Sequence, residues 1–260
     1  MSVIELKNIS QVYDGTNVVL KDLNLTIEDK PNKGQFIALL GPSGCGKSTL
    51  LRYISGLQKP TTGEVNLFGK PRTEDDRVGM VFQKYSSLPW LSVLDNISLG
   101  LKLQGVSKAD RTTKAKEILE VVGLKGHGSK YAQYPTLSGG QLQRVAIARS
   151  LLANPRILMM DEPFGALDVK TRLKMQDSLQ EIYLSLNNQG NNPTILLVTH
   201  DIQEAVYLAD DIFILGKAPA KVEHHIKVAL PEKRDRSIKR ENFFREIVAQ
   251  VEDIMMGIGD

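Results

Sequence analysis

One stretch restricts the possible folds more than any other. Residues 36–40, Phe-Ile-Ala-Leu-Leu, form an unbroken apolar run that stops at Gly41. A short run without polar alternation predicts a strand buried on both faces, as in a parallel sheet. Residues 48–57 then change period, with Leu50, Leu51, Ile54 and Leu57 on one helical face. Between strand and helix lie Gly41, Pro42, Ser43, Gly44, Cys45, Gly46, Lys47 and Ser48, with Thr49 next. The spacing satisfies G-x-x-x-x-G-K-[ST] in full, the pattern of a phosphate-binding loop. Glycines let the backbone wrap close around an anion, so the amides of Gly44, Gly46, Lys47 and Ser48 can turn inward. The helix that starts near Lys47 adds its dipole. Lys47 can reach β- and γ-phosphates, and the Ser48 hydroxyl can be a Mg²⁺ ligand. Cys45, wedged among backbone donors without a base in the sequence nearby, reads as a small filler and not as a catalytic thiol.

A phosphate loop hydrolyses nothing by itself. The second requirement appears at residues 157–162, where four apolar residues deliver Asp161 and Glu162. Ligands gather at the carboxyl ends of strands in open α/β sheets. Asp161 can hold Mg²⁺ through water, and Glu162 can orient or deprotonate an attacking water. Composition sets outer bounds. The chain of 260 residues is 42% hydrophobic and 24% charged, which suits one large domain or two small ones. Lys plus Arg (33) nearly balances Asp plus Glu (30), against a broad basic field and hence against nucleic acid as partner. Cys45 is the only cysteine and cannot form an internal disulfide, which fits a reducing compartment. The opening MSVIELKNIS lacks an apolar core, so a signal peptide is not expected. Apolar stretches such as 37–40 and 195–198 fall far short of the roughly 20 residues that span a bilayer. Work at a membrane then requires another chain.

The remaining texture is α/β. Strands are expected at 3–9, 18–20, 23–27, 64–68, 78–82, 157–160, 194–198 and 212–215, with a turn at Asp14-Gly15. Helices are expected at 114–122, 141–152, 169–187, 202–208 and 243–256, and a loop at 187–192. The polar stretch 125–130 interrupts the middle. A β-rich start and an alternating α/β end thus flank a mostly helical insert.

Leu137-Ser138-Gly139-Gly140-Gln141 comes just before a helix. Ser138 is a plausible N-cap, and the two glycines leave open amides. This is a second phosphate site, which a head-to-tail pair of chains would use to close each other's loop. With these motifs the chain resembles the ATP-binding cassette subunit of an ABC transporter across about residues 2–220. The resemblance implies a P-loop NTPase fold with a RecA-like core, an N-terminal antiparallel β subdomain and a helical insert at about 88–152. It implies an ATPase domain over 1–225, followed by a short helical extension, 226–260, packed on the body. Tyr13 sits where an adenine-stacking aromatic is expected. Gln83 matches the Q-loop glutamine, a Mg²⁺ and water contact. Asp168, in Ala166-Leu167-Asp168, resembles the D-loop, and His200 the switch histidine on the γ-phosphate. Each taken alone has a plainer reading: a half-buried strand residue, a loop polar group, a surface histidine. ATP and Mg²⁺ are the implied cofactors, and a homodimer with two competent sites the implied assembly.

Within that family, the segment 87–97 with Trp90, together with 164–168, resembles the bacterial nitrate/sulfonate/taurine import branch. So does the tail, where residues 229–231 precede Lys233-Arg234-Asp235-Arg236. That resemblance implies transmembrane permease subunits as partners, a substrate-binding protein, and a peripheral place on the cytoplasmic face of the inner membrane. Trp90 is either a core anchor or an exposed partner contact. The alternatives are an exporter ATPase and a soluble cassette machine of DNA repair or translation, although long coiled coils, zinc modules and a second cassette are missing. Lys233, Arg234, Arg236, Lys239 and Arg240 are interleaved with acids and read as a solvated face. His224 and His225 read as a solvated strand edge and not as a metal site.

Overall fold

The computed structural model describes every residue except Tyr85 and Asp260. Two sheets organise it. The first is antiparallel, with strands β1 (Ser2–Tyr13), β2 (Asn17–Glu28), β4 (Thr62–Leu67) and β5 (Lys70–Pro71) in the order β2-β1-β4-β5. The second contains β3 (Gln35–Leu40), β6 (Gly79–Val81), β7 (Ile157–Asp161), β8 (Thr194–Val198), β9 (Asp211–Leu215) and β10 (Val222–Lys227). Its order is β10-β9-β3-β8-β7-β6, parallel except for β10. Every residue of β3, β7, β8 and β9 is buried, which is why those strands lack alternation. Phe36, Ala38 and Leu40 face the helical core, while Ile37 and Leu39 face the core shared with the antiparallel sheet.

Seven helices follow in chain order among the described residues: α1 (Lys47–Ser55), α2 (Val93–Leu103), α3 (Lys108–Val121), α4 (Gly139–Leu152), α5 (Val169–Asn188), α6 (Ile202–Leu208) and α7 (Asn242–Gly259). The helical insert is α2 to α4. Within it, α4 also covers β6, the edge of the parallel sheet. Gln143 donates to the Phe82 carbonyl (3.1 Å) and Ser150 to the Met80 carbonyl (3.3 Å), so the outward edge groups are not left bare.

Several expectations need correction. The strands foreseen at 18–20 and 23–27 are one strand, β2, and β1 runs on to Tyr13. Register shifts at irregular pairings interrupt the period-two pattern there. Helix α3 starts six residues before 114, because its first turns are polar all round and only Ala115 and Leu119 are buried. Its start is encoded instead by the Ser107 cap, which accepts from the Asp110 amide. The tail is not a uniformly solvated basic face. The Arg234 side chain is 1% exposed. Its Nη1 donates to the carbonyls of Val206 (3.4 Å), Tyr207 (3.0 Å) and Ala209 (2.8 Å), and its Nη2 pairs with Asp210 (3.3 Å). Arg234 therefore caps the C-terminal end of α6, whose last carbonyls have no helical partner. Lys239, half-buried over the Tyr207 ring, donates to Gln176, and Arg236 pairs with Asp177. His225 lies on the exposed edge strand, yet it stacks on Phe213 and bonds Asp211 at 2.8 Å. Residue 225 falls inside β10, and α7 buries Phe244, Val248 and Val251 in the main core.

Candidate active site

The site forms where β3, β6, β7 and β8 end. Register explains the convergence. Val81 pairs with Met160, and Asp161 pairs with Val198, so the chain leaves β6, β7 and β8 at one level. Gln83, Glu162 and His200 follow those exits directly.

The β3–α1 loop wraps around the head of Lys47. This side chain is buried, and its Nζ donates to the carbonyls of Gly41 and Pro42, both at 2.8 Å. Gly46 precedes α1 with φ 99°, and a Cβ there would meet Leu20 at 2.8 Å. Gly44 has φ 79° and open space where a Cβ would stand, so its freedom of backbone and not its size is what the loop uses. Cys45 is buried, and burial pushes its thiol above the usual range, which agrees with a filler.

The Ser48 hydroxyl donates to Asp161 Oδ1 at 3.0 Å. Burial raises the Asp161 carboxyl above its ordinary range, and the Ser48 bond opposes that shift. A hydroxyl and a carboxylate side by side are hard oxygen donors, the set that Mg²⁺ prefers. Beside them, Glu162 Oε2 accepts from Gln83 Nε2 at 3.0 Å, and its Oε1 lies 3.3 Å from His200 Nδ1. Gln83 thus faces Glu162 here and not the Ser48–Asp161 pair. The Glu162 backbone is left-handed, with φ 44°, while its amide still donates to the Val198 carbonyl at 2.9 Å. Such a conformation costs a residue with a Cβ about 1–2 kcal/mol and clusters at functional sites. His200 is 70% exposed, open to an approaching group.

Tyr13 ends β1 half-buried above α1. Its hydroxyl is 3.5 Å from Thr49 Oγ1 and accepts from Gln58 Nε2 at 3.3 Å. The other foreseen residues lie elsewhere. Ser138 is the N-cap of α4, in a reciprocal capping box with Gln141, and Gly139 and Gly140 form its first turn. Asp168 caps α5 by accepting from the Thr171 amide at 3.0 Å, and its hydrogen bonds to Thr171 lower its carboxyl. Among the described residues, 138–141 and 168 make no hydrogen bond or ion pair with 41–49. In one chain the 41–49 loop and the 138–141 motif therefore stand apart. Trp90 is 68% exposed, which removes the core-anchor alternative. A cavity of about 900 Å³ lies at the opposite, N-terminal ends of β6 and β7, lined by Phe68, Gly79, Leu103 and Arg156, away from this chemistry.

Three polar residues escape sequence reasoning. Arg149 donates to Ser86 at 2.9 Å and Asn96 at 3.5 Å, and buried Asn96 holds both backbone groups of Leu88. With Gln143, they tie the segment after Gln83 to α4. The signal available was Gln143 and Ser150, polar residues seven apart on an otherwise apolar helix face.

Comparison with known proteins agrees with this architecture. The family described as ABC transporter matches residues 20–165. The nitrate import ATP-binding protein NrtD of Synechocystis sp. is 41% identical over 265 residues, covering 98% of this chain and 95% of that protein. The taurine import ATP-binding protein TauB of Pseudomonas putida is 42% identical, covering 88% and 84%. The aliphatic sulfonates import ATP-binding protein SsuB of Zymomonas mobilis is 45% identical, covering 90% of each. Among solved structures, the dimeric post-hydrolysis state of an ATP-binding cassette bound to ADP and Pi superposes with TM-score 0.74. It is 35% identical and covers 88% of this chain and 100% of that one. Phosphate loop, paired strand-end acids and outward-facing LSGGQ thus belong together, and the chain is an ATPase of the ABC transporter ATP-binding family.

Proposed function

We propose that this chain is the motor of an importer for a small oxyanion solute of the nitrate, taurine or sulfonate type. It acts as a head-to-tail pair beneath separate permease subunits, on the cytoplasmic face of the membrane, with a substrate-binding protein delivering the solute. The observation that carries the motor assignment is the meeting of Gln83, Glu162 and His200 beside Lys47 and the Ser48–Asp161 pair. The solute class rests on what the three relatives import. No helix among the described residues is long and apolar enough to cross a membrane, which agrees with separate permease chains. Exposed Trp90, at the end of the segment that follows Gln83, is the contact offered to them.

The roles follow from chemistry. Tyr13 stacks on adenine. The amides of the 41–49 loop bind the β- and γ-phosphates, and Lys47 exchanges its two carbonyl partners for phosphate oxygens. Ser48 and Asp161 would hold Mg²⁺, joined by Gln83 once it releases Glu162, and the ion would neutralise charge on the phosphates. Glu162 orients the attacking water and accepts its proton, and His200 donates to the γ-phosphate. The partner's Ser138, Gly139 and Gly140 close the site from the opposite side, and Asp168 lies where the two chains cross. Residues 1–225 form the motor domain in this scheme, and 226–260 brace α6.

The test is Glu162→Gln. The variant is expected to bind ATP, to turn over at least 100-fold more slowly and to shift from monomer to dimer mass on adding Mg-ATP. Retained steady-state turnover would remove Glu162 as the base. Growth on nitrate, taurine or an alkanesulfonate as sole nitrogen or sulfur source, before and after gene deletion, decides the solute.

A further inference from the structure

The loop after α3 carries a contact that no role above uses. His127 Nε2 lies 3.1 Å from Gln141 Nε2, and His127 Nδ1 lies 3.2 Å from the Lys125 carbonyl. Gln141 Oε1 accepts from the Ser138 amide at 2.8 Å, and the Gln141 amide donates to Ser138 Oγ at 3.3 Å. Donor and acceptor chemistry fixes every direction in this chain. A carbonyl only accepts, so Nδ1 of His127 carries the proton. A neutral ring then offers a lone pair at Nε2, which must receive an N–H. Gln141 Nε2 supplies it, and this leaves Oε1 for the Ser138 amide. A flipped amide would set N–H against N–H at Ser138 and oxygen against a lone pair at His127. A ring protonated on both nitrogens would oppose the Gln141 amide.

The platform under His127 is held from two sides. Its amide donates to the Leu124 carbonyl and its own carbonyl accepts from the Lys130 amide, both at 3.0 Å. The carbonyls of Gly128 and Lys130 accept from the amides of Leu94 (3.0 Å) and Val93 (2.8 Å), the first residues of α2. That turn starts at the Ser92 cap, two residues after Trp90. The imidazole therefore stands between the start of α2 and the start of α4.

We propose that His127 is a positioning residue for the 138–141 motif: its neutral imidazole fixes the Gln141 amide, which fixes the Ser138 amide that opens α4. His127 does not touch nucleotide. It sets the face that meets the partner's triphosphate, and its loop passes the position of α2 to that face. The inference rests on the proposed role of 138–141 as the partner's lid.

The test uses ATP-driven pairing of the Glu162→Gln chain, read as mass by light scattering against Mg-ATP concentration. His127→Leu removes the acceptor and is expected to raise the half-point by about 3- to 10-fold, the size of one neutral hydrogen bond. His127→Gln places an acceptor where Nε2 stood and is expected to return the half-point to within about 2-fold of the parent. In a Gln141→Ala background, His127→Leu is expected to add nothing, because the shared bond is already gone. An unchanged half-point in His127→Leu overturns the proposal. So does failure of His127→Gln to rescue, or full additivity with Gln141→Ala. Gly139→Asp separates the two levels: if it still pairs on ATP, the lid role of 138–141 falls. If the parent itself does not pair, the proposed function falls, and ¹⁵N shifts of the His127 ring still decide this contact. They are expected to report the Nδ1–H tautomer, moving at Nε2 in Gln141→Ala. An Nε2–H tautomer overturns the inference alone.

Discussion

Glu204 gives a sharp test of the packing beneath the loop that carries His200. It lies in the first turn of α6, 3% exposed, where its Oε2 accepts from Gln176 Nε2 at 3.0 Å. Burial raises its carboxyl from 4.5 to about 7, with nearby Asp201 adding, and hydrogen bonds from Thr199 and Gln176 opposing. The sign follows from linkage. Below pH 4.5 both native and unfolded chains hold the proton, and stability from this group is complete. Between 4.5 and about 7 the unfolded chain ionises while the native chain stays protonated, so each rise in pH favours unfolding. Above about 7 the loss is full and constant. The gap between 4.5 and about 7, at about 1.4 kcal/mol per pH unit, comes to about 3 kcal/mol. Glu204→Gln is neutral throughout, keeps the shape and can still accept from Gln176. It should match the parent near pH 4.5 and exceed it by about 3 kcal/mol at pH 8. Urea unfolding of both proteins at half-unit steps from pH 4.5 to 8 measures the difference. Parallel curves would refute the argument, because they would mean that the carboxyl ionises in the native chain as easily as in water.

Two further outcomes are expected. Arg234→Met should cost about 3–5 kcal/mol in urea unfolding, because it leaves the carbonyls of Val206, Tyr207 and Ala209 without this donor and Asp210 without its ion-pair partner, with the Phe36 amide still bound to that carboxylate; a loss below about 1 kcal/mol would put the guanidinium in solvent. Trp90→Ala should leave the melting temperature and the ATPase rate of the isolated chain within error while reducing recovery of the permease in co-purification; a large loss of stability would return Trp90 to the core.

What the sequence made legible was the chemistry written in consecutive residues. The 41–49 loop, the Asp161-Glu162 pair and the Ser138 cap each need only a local backbone and neighbours within one turn. The meeting of Gln83, Glu162 and His200 was different, because it depends on β6, β7 and β8 lying side by side although more than seventy residues separate β6 from β7. From the residues alone those three are a loop amide, an acid and a surface histidine, and only the family resemblance puts them together. Arg234 is misread for a related reason. Charge interleaving describes composition and not burial, and the partner of this guanidinium is the end of α6, a helix without a glycine stop. His127 is hidden in a stretch of Gly, Ser and Lys that carries no period at all.

Glu162 shows where local rules and function part. A glutamate does not favour φ 44°, and the apolar run before it predicts only that a strand ends there. The conformation is imposed from outside: the Glu162 amide is held by the Val198 carbonyl of the neighbouring strand, and the Gly165 amide holds its own carbonyl at 3.2 Å. Those two bonds turn the chain sharply after β7, so that the carboxylate faces Gln83 and His200 and does not continue along the strand. A glycine would adopt the same turn with less strain, and a strand that simply continued would have none. That a side chain is kept at this position, against its backbone preference, is an argument for chemistry at that carboxylate which packing does not supply.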